Sequence, residues 1–178
     1  MNTAALKIWR RFHWSFFSNT QGLIVSLGRF QVALDRQDIL LARIELDAAT
    51  QLLRSSAAAM ELAGSFTRGE YEEKVRPSMV RPAIEADNFS GVMSWDHATL
   101  IQLWRRLRIT FENLPVELRK EHVKFTAAYR ELAGSHRSVC SKFGGDEGGS
   151  IRHTNEIAVD VLDRFEKNRS GIIGCPYH

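Results

Sequence analysis

The sequence predicts an all-α fold, a helical bundle of about five helices with a glycine-rich loop before the last one. Three observations carry this. Apolar residues recur at helical spacing along most of the chain. The stretch Ile39 to Ala63 contains neither Pro nor Gly and is rich in Ala and Leu. No alternation of apolar and polar residues extends over more than four positions, so nothing reads as a strand.

Leu6, Trp9, Phe12, Phe16, Leu23, Leu27, Phe30 and Leu34 make one apolar stripe, with SNTQG at 18 to 22 a soft interruption. This predicts one long or slightly broken helix. Asp35 to Asp38 reads as a polar turn, followed by the helix Ile39 to Ala63. Residues 65 to 94 hold Gly69, Pro77, Pro82, Asn88 and Gly91, which predicts a short helix at Arg68 to Val75 and then an irregular connection. Ser94 reads as the N-cap of a helix from Trp95 to about Asn113, with Leu100, Leu103, Trp104 and Leu107 as its stripe. Pro115 opens the next helix, to about Lys142, with Val123, Phe125, Ala128 and Leu132 facing inward. The run GGDEGGS at 144 to 150 stops it. A last helix is expected from Ile151 to about Lys167, leaving 169–178 as an irregular tail.

A chain of 178 residues with 44% hydrophobic residues suits one domain with a sizeable core. The net charge of +3 is spread along the chain, which argues against nucleic acid as a partner. No stretch approaches the roughly 20 apolar residues of a membrane span. The N-terminal MNTAALKIWRRFHWSFF is broken by Lys7, Arg10, Arg11 and His13, and reads as an amphipathic helix instead of a signal peptide. Cys140 and Cys175 form no CxxC pair, so neither a disulfide framework nor structural zinc is indicated. A soluble cytoplasmic protein is expected.

Of the six histidines, His97, His122, His153 and His178 read first as structural residues. His136 differs in the segment around and after it. Tyr129 to Leu162 runs YRELAGSHRSVCSKFGGDEGGSIRHTNEIAVDVL: a histidine on a helix, Val139 three residues later, the helix end, a glycine-rich loop, and another helix. This segment resembles the heme-binding segment of tryptophan and indoleamine 2,3-dioxygenases, in which a proximal histidine precedes a GTGGS-like loop, here Gly148-Gly149-Ser150. Upstream, Ile39 to Gly91 is similar to that family's long helix, and Ser90-Gly91-Val92-Met93-Ser94 to its S-G-F-Q-S stretch.

The resemblance implies a heme iron held by His136, His13 in the distal pocket as the catalytic hydrogen-bonding residue, and a small aromatic substrate with dioxygen or peroxide. Trp95 is implied as a heme wall, with His97, Glu147, Gly149 and Ser150 as substrate contacts. Family members are oligomeric, so a homo-oligomer is expected. A tyrosine-hydroxylating branch attaches heme through a cysteine thioether, a part Cys175 could take; Cys140 lies one helical turn from His136 on the same face. The chain also departs from the pattern. Where the dioxygenases place a substrate-carboxylate arginine stand His97 and Ala98, with no arginine until Arg105, and the loop threonine is replaced by Glu147.

Two other readings compete. A di-iron bundle needs Glu-x-x-His motifs, and only the reversed His153-x-x-Glu156 occurs, so a second pair would have to come from residues such as Glu45, Asp47 and Glu121. A non-enzymatic interaction module would use the basic WRRF and LWRRLR stripes, but such arginines more often pack their stems along a core.

Overall fold

The computed structural model describes residues 3–80, 83, 94–147 and 156–174. It is all-helical, with no strand among the described residues. Helix α1 (Ala4–Asp35) is capped by Thr3, whose side chain accepts from the Leu6 N–H. It is unbroken through 18–22. Thr20 is buried there and donates to the Phe16 carbonyl at 2.8 Å, and Gly22 lets the Leu52 side chain come within 3.0 Å of where a Cβ would stand. The soft interruption is thus a place where α2 packs closely on α1. Helix α2 (Ile39–Ala63) begins on Asp38, which caps Leu41 at 3.0 Å.

A capping box on Thr67 and Glu70 starts α3 (Arg68–Glu70), which passes into a π turn at Tyr71–Val75 and a tight turn at Arg76–Met79. Helix α4 (Trp95–Glu112) is capped by Ser94, as its sequence predicts. A short turn at Val116–Leu118 leads into α5 (Arg119–Lys142). Helix α6 (Ala158–Ile173) starts later and runs further than the sequence suggested. Ser170 to Ile173 are helical because Ile173 is fully buried against α5, and that contact outweighs the glycine at 171. The inward face of α5 is also corrected. Val123 is exposed, and His122 takes the buried position beside Phe125, Thr126, Ala128 and Tyr129.

The five long helices form a closed ring in the order α1, α2, α5, α6, α4. Cross-contacts fix their directions. Arg29 pairs with Glu45 at 2.7 Å and Asn19 meets Ser55, so α1 and α2 are antiparallel. Arg54 faces Glu131 and Glu61 accepts from Ser135, so α2 and α5 run in parallel. Arg137 pairs with Asp163 while His122 reaches Ile173, so α6 runs against α5.

Inside the ring lie two apolar clusters. The larger joins all five helices through Leu27, Phe30, Leu46, Leu53, Leu107, Phe111, Phe125 and Ile173. At one end of it Phe30, Phe111, His122 and Phe125 stack. The smaller cluster joins Ala5 and Phe12 of α1, Met60 and Ala63 of α2, Phe66, Tyr71, Val75 and Met79 of the connection, and Val139 and Phe143. Tyr71 and Phe143 lie flat on each other at 4.4 Å. That cluster binds the helix ends nearest His13 and His136 into one framework.

Candidate active site

His136 sits in the penultimate turn region of α5, on the side turned toward α6, and is half-buried. Burial, with the positive charge of Arg169 adding to it, pushes its imidazole down to about 4. The ring is therefore neutral at pH 7 and offers a lone pair. It makes no hydrogen bond to a described residue, as a ring reserved for another partner would not.

His13 occupies the same level of the bundle. Asn19 opposite Ser55 places a residue six positions earlier in α1 opposite Glu61, and Glu61 meets Ser135, the neighbour of His136. Its ring packs against Trp9 and Phe12, with centroids at 4.8 and 5.0 Å. Nδ1 lies 2.9 Å from the Trp9 carbonyl, which can only accept, so Nδ1 carries the proton. Burial lowers the pKa, opposed by that hydrogen bond, so the ring is neutral at pH 7.

Cys140 lies one turn beyond His136 and is partly buried. Burial and then the nearby Asp146 raise its thiol pKa, so it is a thiol at pH 7. Gly144 has φ +84°, and a Cβ on Gly145 would strike the Cys140 sulfur. The loop thus folds back tightly over the end of α5, and Val159 ties α6 to it through the Gly145 carbonyl at 3.2 Å.

The other sequence candidates are scattered. Trp95 is 90% exposed at the start of α4, so no described residue packs it into a wall. His97 lies in the first turn of α4, half-buried, with its backbone N–H on the Ser94 cap at 3.2 Å. Glu147 is turned away from a substrate role by Arg68, whose guanidinium grips both its oxygens at 2.8 and 2.7 Å and holds its carboxyl below the usual range. An incoming ammonium would compete with that bidentate pair. Gly149, Ser150 and Cys175 lie outside the described residues.

Arg169, placed by the sequence in an irregular tail, is the residue that sequence reasoning missed. It stands on α6 over the Phe165 ring, and its charge acts on Tyr129 and His136. The available signal was the helical spacing of Val161, Phe165, Ile172 and Ile173, which continues past the predicted end.

The family described as SfmD 3-methyl-L-tyrosine peroxygenase matches residues 1–121. A 3-methyl-L-tyrosine peroxygenase of Streptomyces lavendulae is 30% identical over 168 residues, which cover 93% of this chain and 46% of the relative. The chain thus spans about half the length of the curated relative it matches, and a match of that reach takes in His97, His136 and Cys140 wherever it starts. No solved structure matches it. No helix among the described residues is long and apolar enough to cross a membrane. With its family match running from the first helix through α4 and into α5, this chain belongs to the SfmD 3-methyl-L-tyrosine peroxygenase family.

Proposed function

We propose that this chain is a heme-dependent oxygenase of an aromatic amino acid, with peroxide as oxidant and His136 as the iron ligand. The observation that carries the reading is the state of His136: neutral, half-buried on a rigid helix, and without a hydrogen-bond partner among the described residues. A single neutral imidazole is the donor that heme needs from one side. The di-iron alternative requires several carboxylates and histidines together, and no such group of three occurs among the described residues. The relative's name supplies the substrate class and the peroxide. The likeness of the His136 segment to tryptophan and indoleamine 2,3-dioxygenases supports the ligand assignment.

When bound, heme supplies the oxidising equivalent. The protein's own residues do the rest. His136 fixes the iron's position through a helix whose end is pinned by Val139, Phe143 and the Gly144–Gly145 turn. Burial, with the charge of Arg169 adding to it, keeps His136 unprotonated, so the ring remains a donor at neutral pH. His13, with its Nδ1 fixed on the Trp9 carbonyl, is the neutral imidazole this reading assigns to proton transfer with a phenol or peroxide O–H. Trp9, Phe12 and Phe16 line the α1 side of this end with apolar rings that exclude water. Cys140, protonated and one turn from His136, is the thiol placed to meet a porphyrin edge; Cys175 keeps that role only as a residue beyond the described structure. His97 remains a substrate contact in this reading, from the α4 terminus.

Reconstitution with hemin tests the proposal. A stoichiometric Soret band, lost in His136→Ala and kept in His122→Ala, is the expected result; a full band in His136→Ala overturns the ligand assignment. With peroxide and 3-methyl-L-tyrosine, His13→Ala should keep the band and lose about 100-fold in turnover, the lower end of what a positioned general base contributes. Colour surviving acid-acetone extraction in Cys175→Ala but not in Cys140→Ala would identify the thioether residue. Self-association is also expected, because α1 and α2 expose Val25, Val32, Leu40 and Ile44 along their outer faces. A monomer by light scattering would remove that part of the reading.

A further inference from the structure

One arginine differs from all the others described. Arg169 alone is not exposed, and it is drawn in between α5 and α6. Its guanidinium carbon lies 5.0 Å above the Phe165 ring, an arrangement that fixes the stem and aims the planar fork. Its positive charge acts on the buried Tyr129, opposing the effect of burial, and on His136, two turns further along the same face of α5, adding to it. The Trp104 indole packs edge-on to Tyr129 at 5.3 Å, and its buried N–H has no partner among the described residues.

Several of the other arginines have their counter-charge. Arg29 has Glu45, Arg68 has Glu72 and Glu147, Arg137 has Asp163, and Arg164 has Glu156. Arg169 has no carboxylate within 4 Å among the described residues, and the nearby Glu166 accepts from Ser170 at 3.0 Å instead. A charge taken partly out of water without a carboxylate is costly, and such a site favours an anion that arrives with a ligand.

We propose that Arg169 is the carboxylate-binding residue of the His136 site, receiving the carboxylate of the aromatic amino acid or of a porphyrin propionate. This rests on the reading of His136 as the heme-bearing residue. Phe165 holds the guanidinium by its face, which leaves the N–H groups at its edge for a planar carboxylate. Arg137, the neighbour of His136, is already paired with Asp163 at 2.8 Å, which leaves Arg169 as the cation open to a bound carboxylate among the described residues near His136.

The test compares wild type with Arg169→Met, using near-ultraviolet circular dichroism as the check of folding. Four probes are titrated: hemin, hemin dimethyl ester, 3-methyl-L-tyrosine, and the amine left by its decarboxylation. A loss of about tenfold or more for hemin but not for its ester assigns the propionate. The same loss for the amino acid but not the amine assigns the substrate carboxylate. Unchanged affinity for all four overturns the proposal. If wild type takes up no hemin, the heme reading falls, and calorimetry of the amino acid against the amine on the same chain decides Arg169: a preference lost in the variant supports it, and equal binding overturns it. Should Arg169→Met fail to fold, Arg169→Gln is read in its place by the same outcomes.

Discussion

The two ends of α5 carry histidines in opposite circumstances. His122, at its start, is fully buried and lies flat on Phe111 with centroids 4.7 Å apart. Its Nε2 donates to the Ile173 carbonyl at 2.7 Å, closing α6 onto α5. His136, near the other end, is half-buried, with no hydrogen bond to a described residue and an arginine beside it. One imidazole closes a contact between two helices, and the other, in the proposed reading, is left for the iron. The difference teaches that burial alone does not mark a functional histidine; the state of its hydrogen-bonding capacity does.

Exchanging the two roles should give the largest effect. His136→Ala is expected to remove heme uptake completely while leaving the denaturation midpoint almost unchanged. His122→Ala should do the reverse, keeping uptake and losing about 2–4 kcal/mol through a cavity and an unpaired Ile173 carbonyl. If His122→Ala proved as stable as wild type by urea unfolding, the contrast would collapse. Phe111→Ala removes the ring on which Phe30, His122 and Phe125 stack, and about 3–5 kcal/mol should be lost. A cost below about 1 kcal/mol would show that the aromatic end is loosely packed.

A smaller effect separates the two histidines by pH. In the heme-free chain His136 protonates near 4 when folded and near 6.5 when unfolded, so between those values the unfolded state binds more protons. Stability should therefore fall as pH drops from about 6.5 toward 4, and burial of His13 acts in the same direction. His136→Phe should flatten that slope; a slope unchanged in the variant would assign it elsewhere. The smallest effect is expected from Arg68→Ala, because the pair with Glu147 is exposed. The midpoint should not move measurably, whereas amide exchange at residues 144–147 should quicken.

Much of this was legible in sequence. Ser94 could be read as the cap of the helix after it, whereas Thr3 and Asp38 emerged as caps in the structure, and the pattern of Ile39 to Ala63 permits only a helix. His136 stood out because a glycine-rich loop comes after it. Cys140 could be placed beside it by counting a single turn. Glu147 and Trp95 could not be judged in the same way. Whether a carboxylate is available or held depends on Arg68, distant in sequence, and whether a tryptophan packs depends on what the ring of helices leaves beside it. Val123 was misjudged for a related reason, since the α5 face follows the contact with α6 and not hydrophobicity alone.

By itself the sequence determined the helices, their caps, the all-α class and the histidine on α5, because these depend on residues within a few turns of one another. Only the tertiary structure decided the order of the ring, the late start and late end of α6, and the neighbours of each histidine. It also turned Arg169 from a tail residue into the inward-drawn cation beside His136. The physical reason is that pairing, burial and desolvation belong to contacts between distant segments, and the same side chain is structural or reactive according to which segment it meets.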